Sequence, residues 1–177
     1  MGSTYPGTPD YLGQEAPLVD LNELPSWLLY EDDDLLVFNK PGWLVCHPSK
    51  NGPLSSLVGA AREYTGLERI HLVSRLDRET SGVVILAKRP AIARQLQGAI
   101  EKQQADKVYL ALLRGELEGP LHVNAPLGRD KHCLVHVKQA VREDGAGKSA
   151  ETLFEPIFAA NGYTLARVQI RTGRKHQ

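Results

Sequence analysis

The pattern of apolar and polar positions predicts a series of short strands and two helices. Leu35-Leu-Val-Phe38 reads as a buried strand closed by Lys40-Pro41-Gly42, because proline cannot donate to a ladder and Pro-Gly turns the chain. Leu44-Val45-Cys46 resumes as a strand until Pro48. Pro53 then opens a helix in which Leu54, Leu57, Val58 and Ala61 share one face, and Gly66 ends it. Val83-Val-Ile-Leu-Ala87 is an apolar run rich in β-branched residues, the signature of a buried strand. Pro90 takes the first position of a second helix, whose Ile92, Leu96, Ala99 and Ile100 form an apolar stripe meant for a sheet. Val108 to Leu113 is apolar on both faces, which suits a central strand. Further strands are expected around Leu121 to Val123 and Cys133 to Val137. The clearest hairpin joins Thr152–Phe158 to Tyr163–Ile170 through Asn161-Gly162, the favoured pair for a two-residue primed turn.

Before these elements the pattern is different. Residues 1–25 hold prolines at 6, 9, 17 and 25 and no sustained apolar period, so an extended, partly disordered arm is expected. Trp27-Leu-Leu-Tyr30 is the first apolar anchor. The organisation expected is an acidic arm over 1–26 and one domain over 27–177.

Composition changes this picture in one respect. An apolar content of 42% and a charged content of 24% exclude a globally disordered chain. No apolar run approaches a membrane span, and no secretory signal is visible, so no membrane partner is expected. Cys46 and Cys133 form no disulfide framework and fit a reducing cytoplasmic setting. Net charge is zero, but its distribution is uneven: residues 1–39 carry eight acids and no Lys or Arg, leaving 21 basic against 13 acidic residues in 40–177, a surplus of +8. The body has the sign that meets phosphates, and the arm the sign that repels them.

The densest polar stretch is Ser74-Arg-Leu-Asp77-Arg-Glu-Thr-Ser-Gly82, directly before the apolar run. Thr80, Ser81 and Gly82 bend a chain, so one carboxylate, Asp77, stands at the mouth of a strand. Arg75 and Arg78 flank it, and cations beside a carboxyl group favour its charged form. Such a group serves as nucleophile, base or ligand. A plain Asp–Arg turn staple is the alternative. A different chemistry would use Cys46-His47 and His132-Cys133-x-x-His136 as zinc donors. Their spacing matches no paired-cysteine knuckle, and strand alternation puts His132 and Cys133 on opposite faces. No metal is therefore expected.

Arg75-Leu-Asp-Arg-Glu-Thr-Ser-Gly82 with its following strand and Ala87-Lys88 resembles the central signature of the RluA-type pseudouridine synthases. Three further stretches fall in that family's order: Asp34 to Pro41 with Leu44 to Pro48, Lys107-Val-Tyr109 to Gly115, and Arg171-Thr-Gly-Arg-Lys-His-Gln177. Ser74 stands where the family usually has His, and Lys175 where it usually has Thr. The resemblance implies an α+β catalytic domain with a mixed, largely antiparallel sheet and packed helices. It implies isomerisation of uridine to pseudouridine in structured ribosomal or transfer RNA, without a cofactor. Asp77 would be the catalytic aspartate, and Arg75 would fill the gap left by the flipped nucleotide. Tyr109 would stack on the extruded uracil, unless it is an ordinary core tyrosine. Arg174 would pair with and orient Asp77, unless it belongs to a solvated basic tail. Because the family continues past its last motif, the domain is expected to be incomplete at Gln177, and an RNA-binding fragment without activity is the alternative reading.

Overall fold

The computed structural model describes residues 17–47, 52–133 and 138–177. The chain forms two compact units, residues 1–101 and 102–177. The expected arm up to Ala16 and, apart from Cys133, the strand expected over Cys133 to Val137 lie outside the described residues.

In the first unit, β1 (Leu28–Glu31), β2 (Leu35–Lys40), β3 (His71–Leu72) and β4 (Gly82–Ala87) form an antiparallel sheet in the order β1-β2-β4-β3. Strand periodicity decides what each face receives. Leu36 and Phe38 of β2 and Val84 and Leu86 of β4 cluster with Leu57, Ala60 and Ala61 of α1 (Leu57–Thr65). Leu35, Ile85 and Ala87, from the other face, cluster with Ile92, Ala93, Leu96 and Ile100 of α2 (Pro90–Glu101). Val19 and Leu24, from the stretch expected as arm, are buried in the first of these clusters, and the Val19 N–H donates to the Leu54 carbonyl.

Two sequence expectations need correction here. The helix does not start at Pro53: Pro53–Ser55 is a single tight turn, and α1 begins after Ser56, whose backbone is extended. Ser56 Oγ accepts from the Gly59 N–H at 3.1 Å, an N-cap that outcompetes the proline signal. Gly66 ends the helix as expected, in the left-handed conformation. Leu44–Cys46 forms no ladder strand; Val45 makes one parallel bridge to Ser56, and the Val45 and Cys46 carbonyls accept from the Leu57 and Val58 N–H groups. Those amides head a helix and need outside acceptors, so the segment caps α1 instead of joining the sheet.

In the second unit, β5 (Lys107–Arg114), β6 (Leu121–Asn124), β9 (Glu151–Ala160) and β10 (Tyr163–Ile170) form an antiparallel sheet in the order β5-β10-β9-β6. A separate pair, β7 (Leu127–Arg129) and β8 (Gln139–Val141), lies between β6 and β9 in the chain. The β9–β10 hairpin turns at Asn161 and Gly162, both with positive φ (54° and 75°), as the Asn-Gly pair predicts.

β5 is an edge strand, not the central strand its two apolar faces suggest. Its outward face exposes Val108, Leu110 (70%) and Leu112 (71%), and the register places Leu165 opposite Leu112 and Phe158 opposite Leu165. Val168, on the opposite face of the sheet, is buried. Contiguous exposed apolar surface on an edge strand invites association. The 177-residue chain is expected to self-associate, and Leu110→Lys with Leu112→Glu to weaken that association by roughly tenfold, about 1.4 kcal/mol, in sedimentation velocity. Unchanged association would place the contact elsewhere.

Candidate active site

Asp77 lies half-buried in the loop between β3 and β4, and Arg75, two residues earlier, is exposed. The loop closes on itself where the Thr80 N–H donates to the Asp77 carbonyl at 3.2 Å. It enters β4 through Gly82, whose φ of +119° disfavours any side chain. Gly82 pairs with Lys40 across the β2–β4 ladder, so the end of β2 lies beside the end of the loop.

The alternation of β2 sends Leu36, Phe38 and Lys40 to the same face, and all three are fully buried. A charged group in that position has to be met by acceptors. Lys40 Nζ donates to the carbonyls of Pro41 (2.9 Å), Leu44 (2.7 Å) and Arg78 (3.0 Å). An ammonium has three protons, and all three are used. Burial lowers the pKa of Lys40, while Cys46, Glu79 and Asp77 oppose that shift.

Cys46 holds the other side of the loop. Its buried thiol donates to the Leu76 carbonyl and accepts from the Leu76 N–H, both at 3.4 Å. Burial pushes the thiol pKa up, against smaller contributions from the Leu76 bond, Lys40 and Arg75. The neutral thiol keeps both capacities. Leu76 and Arg78, the neighbours of Asp77, are therefore each bound by a side chain from residues 40–46. The Lys40–Gly42 turn packs directly against the loop as well: a Cβ on Gly42 would lie 3.2 Å from the Glu79 carbonyl oxygen. Sequence reasoning took Lys40 for a turn residue and missed both groups. The available signal was the phase of Lys40, two residues after Phe38 on the core face.

Tyr109 and Arg174 belong to the second unit. Tyr109 is half-buried on β5 opposite the buried Val168, on the strand face it shares with Lys107, Ala111 and Leu113. Lys107 Nζ donates to the Thr172 carbonyl at 3.3 Å, and burial first and then Arg174 lower its pKa. Arg174 Nε donates to the Ser149 carbonyl at 2.7 Å. The last motif is folded around Gln177, whose side-chain oxygen accepts from Thr172 Oγ1 (2.9 Å) and the Arg174 N–H (3.0 Å). Its nitrogen donates to the Glu151 carbonyl (3.0 Å) and Thr152 Oγ1 (2.9 Å). This anchors Thr172–Arg174 at the end of β10 beside Lys107.

Among the described residues no three His, Cys, Asp or Glu side chains are grouped as metal donors. The Cys46 thiol is engaged with Leu76, and His136 lies outside the described residues. Among the described residues no helix is long and apolar enough to cross a membrane.

The fold defined by these elements is the α+β fold of pseudouridylate synthase domains. Human RNA pseudouridylate synthase domain containing 4 has a similar structure, with a TM-score of 0.70 and 26% identity over 89% of this chain and 63% of that one. Human RNA pseudouridylate synthase domain containing 1 shares the fold, with a TM-score of 0.67 and 22% identity over 85% of this chain and 61% of its own. The chain belongs to the RNA pseudouridylate synthase family, which residues 34–177 match, and within it to the RluA type. Ribosomal large subunit pseudouridine synthase C of Vibrio vulnificus is 36% identical over 93% of this chain and 52% of its own length. Ribosomal large subunit pseudouridine synthase D of Nitrosomonas europaea is 33% identical over 87% of this chain and 45% of its own. The chain spans about half the length of the curated relatives it matches.

Proposed function

We propose that this chain carries the aspartate-bearing part of an RNA pseudouridine synthase that isomerises uridine in ribosomal RNA. The observation that supports this most is the clamped loop: residues on both sides of Asp77 are bonded by Lys40 and Cys46, which is how a reactive group is held in one geometry. In the reaction the bond between C1′ and uracil N1 breaks, the base turns, and C1′ bonds to C5. The C5 proton leaves and N1 gains one, so no oxidant, reductant or cofactor is consumed. Asp77 acts on the ribose or the base as the catalytic carboxylate. Arg75 takes the place of the extruded nucleotide, which costs a few kcal/mol to flip. Tyr109 stacks on the uracil, a contact worth roughly 1–3 kcal/mol. Arg174 pairs with and orients Asp77. Ribosomal RNA is preferred to transfer RNA because the relatives named above act on the large ribosomal subunit by their names. A cytoplasmic setting follows from that substrate and from two unpaired thiols.

A second reading, an RNA-binding fragment without turnover, is favoured by the chain's coverage of about half its relatives and by the apolar face of β5. Both are tested by incubating the 177-residue chain, and the same chain extended along its native reading frame, with large-subunit ribosomal RNA and transfer RNA. Pseudouridine in ribosomal RNA is expected from the extended protein. Product from neither length on either RNA, despite RNA binding, would leave the fragment reading.

A further inference from the structure

The first unit contains a cavity of about 380 Å³ that the uridine reading leaves unused. That is within the roughly 300–1,000 Å³ in which proteins hold small organic ligands. Its floor is apolar, with Val58 of α1 and Ala93 of α2 buried there. Its polar lining among the described residues is His47, His71, Arg94 and Gln97, with no carboxylate among them. Gln97 Nε2 donates to the Leu72 carbonyl at 3.0 Å, a bond that orients the amide and leaves its oxygen able to accept. Arg94 is exposed and forms no ion pair among the described residues.

We propose that this cavity is a second nucleotide site, which takes one unpaired nucleotide of the same RNA near the target uridine. The proposal rests on the pseudouridine synthase reading and names a further contact for its substrate. The chemistry favours a nucleotide over other ligands. Imidazole rings and an apolar floor suit the face of a base, a guanidinium suits a phosphate, and the absence of acids removes the repulsion an anion would meet. Gln97 supplies an acceptor for a base edge.

Position along the chain makes it the same RNA. His71 and Leu72 of the cavity wall run through Val73 and Ser74 into Arg75 and Asp77. On the other wall His47 follows Cys46, whose sulfur is bonded to Leu76. Leu72 and Asp77 are five positions apart in the chain, at most about 17 Å of extended backbone and so within the span of a few nucleotides. The Cys46 bond holds that wall and the loop together, which would keep this spacing constant from one encounter to the next.

The test uses two RNAs: a stem-loop with unpaired nucleotides flanking the target, and the same stem-loop with those nucleotides trimmed. Binding is measured across a salt series for the wild-type chain, Arg94→Gln and His71→Ala, all three checked for equal thermal unfolding. Arg94→Gln is expected to weaken binding of the flanked RNA about tenfold and to lower its salt slope by about one, and to leave the trimmed RNA unaffected. His71→Ala is expected to weaken the flanked RNA roughly tenfold with the slope unchanged. Equal weakening on both RNAs would reduce the cavity to general surface charge, and no weakening on either would remove the site. A cavity that binds uridine monophosphate but does not distinguish the two RNAs would be a metabolite site and would also overturn the proposal. The two readings fail separately: loss of flank discrimination in a chain whose extended form makes pseudouridine sinks the cavity alone. Discrimination retained in an extended form that makes none sinks the synthase reading alone.

Discussion

Asp77→Asn, introduced into the form of the protein that makes pseudouridine, is expected to lower turnover by roughly a thousandfold or more, about 4 kcal/mol of barrier, with RNA affinity nearly intact. The substitution keeps the size and shape of the side chain and removes the charge that the chemistry uses. It removes none of the clamp's hydrogen bonds, because Lys40 and Cys46 bond the backbone of Arg78 and Leu76. The fold and the RNA surface should therefore survive, and the loss should appear in kcat and not in KM. Single-turnover kinetics with saturating enzyme separate the two. Turnover within a few-fold of wild type would remove Asp77 from the chemistry and return the loop to an Asp–Arg turn staple.

Lys40→Met is expected to be the most damaging single change to stability in the first unit. Methionine keeps an unbranched stem on the buried face that Lys40 shares with Phe38, but it removes all three donated bonds. The Leu44 carbonyl is then left in the interior without a donor and that of Arg78 loses the Lys40 donor in partly buried surroundings, while the Pro41 carbonyl keeps the Leu44 N–H. An unsatisfied buried acceptor costs about 1–3 kcal/mol. Relief from burying a charge offsets part of this, so a net loss of about 2–4 kcal/mol is expected, a large share of the roughly 5–15 kcal/mol that holds a domain together. That corresponds to a melting temperature lower by about 10 °C or more. A second readout separates the loop from the rest: once Arg78 is released, the Cys46 thiol, buried in the wild type, should react faster with an alkylating reagent. A Met variant as stable as wild type, with Cys46 still protected, would show that the three carbonyls do not depend on the ammonium.

What the sequence made legible was local. Asn161-Gly162 needs only its own two residues to adopt positive φ, and the stripe of Ile92, Leu96 and Ile100 needs only helical spacing, so the hairpin and α2 were both foreseen. Misreadings arose wherever the deciding partner was distant. β5 is apolar on both sides, and nothing within its eight residues says that Leu110 and Leu112 stay uncovered. The true start of α1 depended on Ser56 competing with Pro53 and on acceptors contributed by Val45 and Cys46. Asp77, Arg75, Tyr109 and Arg174 were picked out by motif, but the groups that hold the Asp77 loop were not. A lysine in a core phase and a lone cysteine gain meaning only from carbonyls in another part of the chain.

The clamp also bears on the order in which the molecule forms. Lys40 and Arg78 are 38 residues apart in the chain, and Cys46 and Leu76 are 30 apart. Closing a loop of that length costs roughly 3 kcal/mol of chain entropy beyond a constant, and neither bond forms until it is closed. Helices α1 and α2 and the β9–β10 hairpin depend on near neighbours and can form early. The geometry around Asp77 exists only after the chain between residues 40 and 78 has been drawn together. A chain emerging during synthesis or refolding therefore gains its helices first, and gains a shaped aspartate only on reaching the native topology of the first unit.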